Sequence, residues 1–534
     1  MEKDEKDQKD CKDCEDKKHA GWRVPAAWAF WGILAAVFVA RLAGRSLDDF
    51  FITYRYAWNL AHGNGFVFNS GERVYGVTEP GLVFWLALWN KLTGVPVHWL
   101  GTATTAIGLV VTAGLLMLGS HSPRSHPAGS PGDPKDLGEG RVRPPRSFRL
   151  VPRPQDDRST DLAFFLGGTL LVGSTFLWAV HGAGVFMVFA LLTAAAVCAE
   201  RRPGWAGLLA GAAVWFRPDA GIGLAILGLL LWRERRRFPV LFSVVAALVL
   251  AAGLFASWRY FGTAVPNTLA AKRAFAAWDP AARSSGRAFW PGAVPLLRRH
   301  LGALWLVWTA AGLAGLWPLW RRGGRAGRLL ILFGGSLAVL YPLLGVPFFA
   351  WYAAPPVMAL LIAIGFTADA LAGLVRSERL RPIVSIVLVL LLAVPATLRS
   401  IRWLNAMARP PLEEAYRAAG LWIRDHTDPA AEVSALEVGT LAYFSERHVE
   451  DLLGLVTPDD VPYVEQRAVA KGFYNRPTEV LVVRPSLEGL LGALRKTPWF
   501  QRRYEEAARF PVGEEGDDVI ILQHRTGPHV PPLR

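Results

Sequence analysis

Two adjacent acids, Asp48 and Asp49, follow an apolar run over residues 26–43. A charged side chain at the edge of a bilayer is costly and usually has work to do. A carboxylate placed there can take the proton from an attacking hydroxyl, and partial loss of water makes it a better base. The two acids read alike: either one acts while its neighbour orients it or binds a divalent ion. Three cations can meet an anionic group such as a phosphate: Arg55, Arg217 and Lys272. A guanidinium presents a fork of donors that matches phosphate oxygens. Two of these cations also have a plainer reading. Arg55 can snorkel from an interfacial helix, and Arg217 can pair with Asp219. Lys272 and Arg273 fall in a loop where the charge rule disfavours cations, which favours a ligand role. Tyr352 closes the aromatic stretch Phe348-Phe349-Ala350-Trp351-Tyr352, read first as an interface belt and second as a platform on which a bound ring can stack.

The elements that must position these groups are membrane helices. Of 534 residues, 52% are hydrophobic, 22 are Trp and only 19% are charged, against about a quarter charged in a soluble chain. Several apolar blocks approach the roughly 20 residues that cross a bilayer. A large soluble enzyme, a disordered chain and a secreted disulfide scaffold are excluded. Only three cysteines occur, and Cys11-x-x-Cys14 lacks the second pair that a zinc site needs. The net charge of +14 sits in short arginine-rich loops, which stay on the cytoplasmic side. It implies a lipid bilayer as partner and no nucleic acid.

Residues 1–23, rich in Lys, Asp and Glu, read as a disordered cytoplasmic tail, and 24–399 as the membrane domain. The run 26–43 is a retained first span, since Arg45-Ser46-Leu47-Asp48-Asp49 offers no signal cleavage site. A first outer loop covers 44–96 and includes a helix at 79–93 that lies in the interface, being too short to span. The chain returns at 97–119 to a flexible cytoplasmic loop at 120–160. Crossings follow at 161–180, 183–200, 205–216, 221–232, 238–258, 301–320, 328–345, 352–373 and 382–399. That gives about eleven spans, with Arg217-Pro218-Asp219 at the tip of a short hairpin and the C-terminus outside. Residues 400–534 have soluble composition: a helical pattern at 412–426 and strands at 433–444, 480–483 and 519–522 indicate a small α/β extracytoplasmic domain. No Walker loop, Rossmann glycine pattern or HExxH occurs, which disfavours nucleotide-driven transport and a cytosolic nucleotide-sugar site.

Residues 48–90 resemble the first outer loop of the GT-C superfamily of integral-membrane glycosyltransferases, in particular the polyprenyl-phosphate-dependent, bacterial arabinofuranosyltransferase-like group. The likeness is carried by Asp48-Asp49, Arg55-Tyr56-Ala57, Asn59-Leu60, Gly63 and Gly65, Asn69-Ser70-Gly71-Glu72 and Thr78-Glu79-Pro80, in that order. Arg217-Pro218-Asp219, Pro266-Asn267-Thr268 with Ala271-Lys272, Glu437-Val438-Gly439 and Asp451-Leu452-Leu453-Gly454-Leu455 extend it. One departure stands out: where that group often has Gly-Leu-Glu-Thr, this chain has Gly182-Ala183-Gly184-Val185.

The resemblance implies a GT-C-like fold in the inner (plasma) membrane and transfer, with inversion, of a sugar from a polyprenyl-phosphate donor. The acceptor would be an envelope glycan, lipid or protein on the outer face. It implies Asp48 or Asp49 as catalytic base, and a substrate site drawn from Tyr54, Arg55, Glu72, Glu79, Arg217, Asp219, Asn267, Lys272 and Tyr352. No cofactor is implied beyond the divalent ion left open above. Two rivals remain. A transporter or flippase of lipid-linked glycans predicts inverted repeats and acids at mid-membrane, which the sequence lacks. A non-catalytic assembly factor predicts that Asp48 and Asp49 tolerate Asn.

Overall fold

The computed structural model describes residues 24–42, 44–120, 157–278, 285–344, 348–406, 411–513 and 516–525. The expected tail, most of the 120–160 loop, Cys11 and Cys14 lie outside the described residues. The membrane domain begins with α1 (Val24–Leu42), α2 (Asp48–Ala61), α3 (Pro80–Thr93), α4 (Val97–Ser120), α5 (Asp157–Val172) and α6 (Thr175–Trp178). It continues with α7 (Val185–Cys198), α8 (Pro203–Phe216), α9 (Ala220–Arg235), α10 (Val240–Phe261) and α11 (Thr268–Trp278). It ends with α12 (Ser285–Leu301), α13 (Trp305–Arg322), α14 (Gly324–Leu343), α15 (Ala354–Ala372) and α16 (Arg381–Ala406). Among the described residues, seven helical segments are long and apolar enough to cross a membrane. Shorter apolar helices α7 and α8, together with α9 and α16, fall at the remaining expected crossings. The protein is a multi-pass membrane protein.

Two features escape the apolar pattern. The span expected at 161–180 breaks at Gly173-Ser174, where Ser174 caps α6. Helix α12 precedes α13 although it contains Pro291 and Pro295 and carries Arg298 and Arg299 in its last turn. The bundle closes through small residues, as membrane helices must when lipid offers no hydrophobic drive to associate. A Cβ on Gly365 would stand 2.1 Å from the Ala163 carbonyl, so α15 and α5 touch backbone to backbone. Helix α10 lies outermost, with Leu248, Leu254, Phe255 and Trp258 exposed, a face suited to lipid.

The arginine-rich turns gather at one end of the bundle. There Arg325 and Arg328 pair with Glu234 at 2.6 and 3.3 Å, Arg322 pairs with Asp369 at 2.5 Å, and Arg235 donates to the carbonyls of Ala199 and Glu200. The C-terminal domain sits on the opposite end. It comprises α17 (Pro411–His426), β1 (Glu432–Ala435), α18 (Gly439–Ser445), β2 (His448–Asp451), α19 (Val461–Glu465), α20 (Val469–Asn475), β3 (Val480–Val483), α21 (Pro498–Arg503), β4 (Tyr504–Phe510) and β5 (Val519–His524). The sheet order is β2-β1-β3-β5-β4: the first three strands are parallel, and β5 and β4 add antiparallel.

Helix α2 is not the half-exposed interfacial helix its sequence suggests. Phe50, Phe51, Ile52, Tyr54, Tyr56 and Ala57 are all buried, because α18 packs over it. The loop after it reaches the edge of the sheet. The Asn69 amide donates to the Val449 carbonyl and accepts from the Val449 N–H, both at 3.0 Å, pairing with β2 as a strand would.

Candidate active site

Asp48 and Asp49 open α2, where the unpaired N–H groups of a helix start favour negative charge. The two carboxylates part company at once. Asp48 accepts hydrogen bonds from the Thr440 N–H at 2.7 Å and the Gly439 N–H at 3.1 Å, at the start of α18. Burial pushes its carboxyl up from the usual range, and these donors and the Arg484 charge oppose the rise. No hydrogen bond engages Asp49 among the described residues, and its side chain keeps an exposed surface. Crowding by protein raises its pKa, the Lys272 charge pulls it down, and the Asp48 charge raises it again. Asp49 is therefore an unspent carboxylate under the charge of the Lys272 ammonium, disposed to hold a proton more readily than free aspartate.

A second polar centre lies where α3 meets the α8–α9 turn. Pro80 at the first position of α3 leaves Glu79 at its N-terminus, buried. Arg217 follows α8 and donates to Glu79 at 3.2 Å and to Asp219 at 2.8 Å. Asp219 also accepts from the Tyr341 hydroxyl. The Gly184 N–H adds a bond to Glu79 at 3.2 Å. Burial pushes Glu79 up to about 7, with Arg217 pulling the other way. Arg217 stays charged between two carboxylates.

Aromatic rings join the two centres. Lys272 lies over Phe349 at 5.5 Å, Phe349 meets Tyr352 at 5.8 Å, and the Arg217 guanidinium lies over Tyr352 at 5.9 Å. Trp351 packs on Phe50, next to Asp49 in α2. Tyr352 thus stands between cations rather than in an isolated lipid-facing belt, and it touches Tyr341 at 4.4 Å.

Four residues expected at the substrate are engaged elsewhere. Tyr54 is fully buried and bonds Ser46 at 3.1 Å; Gly101 and Gly182 lack side chains where its hydroxyl passes. Arg55 points inward, not to the interface, donating to the carbonyls of Phe68 at 3.2 Å and Arg447 at 3.3 Å. Burial lowers its pKa to about 10. Glu72 bonds His448 at 2.9 Å and Asn69 at 3.1 Å. Asn267 donates to the carbonyls of Gly454 and Leu455 at 2.6 and 3.0 Å. Arg55, Glu72 and Asn267 attach loops of the membrane domain to the C-terminal domain. His181 is satisfied by the carbonyls of Trp178 and Arg45. Among the described residues, no three His, Cys, Asp or Glu side chains converge as metal ligands.

The groups behind Asp48 carry no role in the sequence reading. Glu437, on the loop after β1, accepts from the Tyr416 hydroxyl at 2.6 Å and pairs with Arg484 at 3.0 Å. Burial raises its pKa, and the Asp48 charge adds to the rise. Glu413 on α17 is raised by burial first and by Asp48 second.

Comparison with known structures places this architecture. ArnT from Cupriavidus metallidurans bound to undecaprenyl phosphate is similar at TM-score 0.56 and 12% identity, over 94% of this chain and 99% of that one. The same protein in its apo state gives 0.54 at 12% identity, over 93% and 98%. The chain therefore has the fold of these structures: an all-α polytopic membrane domain followed by a small α/β domain. Residues 402–528 match the model of a domain of unknown function, DUF8728. No curated protein matches the sequence.

Proposed function

We propose that this protein is a membrane glycosyltransferase that moves a sugar from a polyprenyl-phosphate donor to an envelope acceptor, with Asp49 as general base. Asp49 takes the proton of an acceptor hydroxyl, and that oxygen attacks the anomeric carbon. The bond from that carbon to the phosphate oxygen breaks, and the polyprenyl phosphate leaves with the electron pair. A single displacement of this kind inverts the sugar carbon. Lys272 answers the charge developing on the phosphate, and the donors of Arg217 not spent on Glu79 and Asp219 add to it. Tyr352, between the two cations, offers a face for the sugar ring.

The observation that carries this reading is the unequal fate of the twin acids. Asp48 is committed to backbone donors, whereas Asp49 is open and faces Lys272. The charge rule, applied to the arginine-rich end of the bundle, supports a cytoplasmic side there and an outer position for the C-terminal domain and Asp49. The bound lipid of the ArnT neighbour, undecaprenyl phosphate, supports a lipid-linked donor. The test is sugar transfer in vesicles from a set of polyprenyl-phosphate sugars, read by mass spectrometry of the product. Asp49→Asn is expected to abolish transfer while the protein remains folded; full transfer by that variant refutes the assignment.

A further inference from the structure

The C-terminal sheet has a topological switch point. The chain leaves β1 towards β2 on one side, and it leaves β3 towards β4 and β5 on the other. In open α/β sheets, the crevice at the carboxyl ends of two such strands is where ligands bind. Here that crevice is occupied by a side chain of the same molecule. Asp48 accepts the Gly439 and Thr440 N–H groups after β1, and the charge of Arg484, which follows β3, acts on it. The fit is tight, since a Cβ on Gly439 would stand 2.0 Å from the Asp48 carbonyl oxygen.

The same domain grips the other half of the site. Ala271 and Ala274 on α11 pack with Val461, Val464 and Phe473 of the domain. Asn267, just before α11, hooks the Gly454 and Leu455 carbonyls with its amide, and its own carbonyl accepts the Ala271 N–H at 3.1 Å. That hook is anchored: the buried Asp451 carboxylate takes the N–H groups of Leu453, Leu455 and Val456. Lys272 sits one helical turn beyond Asn267. One rigid body thus holds both the neighbour of Asp49 and the helix of Lys272, which are far apart in sequence.

We propose that the C-terminal domain, a domain of unknown function, acts as a caliper that sets the spacing of Asp49 and Lys272, with Asp48 and Asn267 as its positioning residues. This rests on the reading of Asp49 as the base. The charged groups facing Asp49 are Asp48 on its own helix, Lys272 on α11 and Glu437 after β1; Glu413 and Arg484 act on Asp48 from behind. Losing the ammonium makes Asp49 harder to ionise, so the acid limb of the pH–rate profile moves to higher pH.

The test is the pH profile of kcat and kcat/KM for the full-length protein in vesicles. Lys272→Met is expected to move the acid limb up by about one pH unit. Asn267→Ala is expected to move it the same way by less, with a fall in kcat greater than any rise in KM. The double variant is expected to move it no further than Lys272→Met alone. If Asn267→Ala does not fold, Asn267→Ser, which keeps one donor, reads the same limb. An unmoved limb in the Asn267 variant, or a further shift in the double variant, overturns the caliper. Full activity in Asp49→Asn instead sinks the underlying assignment, so the two failures are told apart.

Discussion

The two polar centres of the site are built on opposite plans. Glu79, Arg217, Asp219 and Tyr341 form a closed network inside the membrane domain, in which the guanidinium already has two carboxylate partners. Asp49 and Lys272 form an open pair that no direct hydrogen bond joins, and its geometry is held from outside by another domain. A closed network is rigid and costly to break, because removing one charge strands the others. An open pair retains unspent chemistry and depends on whatever spaces it. On the proposed reading, the first centre is a fixed footing and the second drives the reaction.

The largest expected effect would break that contrast. Asp49→Asn should lower kcat by about 10²–10⁴-fold, whereas Asp48→Asn should cost far less activity and show chiefly as weaker attachment of the C-terminal domain. Transfer assays with limited proteolysis on both variants decide it; equal losses would erase the distinction between the acids. Next in size, Arg217→Ala should destabilise the fold by about 3–5 kcal/mol, by leaving buried Glu79 and half-buried Asp219 without their cation. Lys272→Met should leave stability nearly untouched. Thermal unfolding in detergent compares the two.

A smaller effect tests the seam. Gly439→Ala should cost about 1–3 kcal/mol by overpacking, since its methyl meets the Asp48 backbone. Gly489→Ala, with open space around it, should cost nothing measurable in the same assay. The smallest effect is in pH dependence. Glu79 has a folded-state pKa of about 7, above its unfolded value, so the native state binds the extra proton between them. Its contribution to stability is present at low pH and fades as pH rises towards 7. Glu79→Gln should flatten that slope in unfolding curves taken across the window.

Much of the scaffold was legible in the sequence, because apolar runs of membrane length leave few alternatives. The turn Arg217-Pro218-Asp219 was legible too, since both partners of its ion pair sit within three residues. What escaped was set by distance along the chain. Asp48 and Asp49 look alike until Gly439 and Thr440, about 390 residues away, choose one of them. Arg55 reads as a cation at an interface until the Arg447 carbonyl draws it inward. Helix α12 hid behind two prolines and a low overall hydrophobicity. The departure at Gly184 now has a physical reason. A Cβ there would come 2.7 Å from the Phe216 carbonyl and 3.2 Å from the Glu79 carboxyl carbon, so Glu79 occupies the space a glutamate at 184 would need.

The amide of Asn69 mimics a peptide group against β2, one of the two edge strands of the sheet. Bare strand edges invite pairing with other chains, and this one is sealed by a segment synthesised nearly 400 residues earlier. The ribosome therefore delivers the cover before the thing it covers. A fragment cut free of its upstream helices would emerge with that border naked, and self-association is the fate to look for when the tail is produced alone.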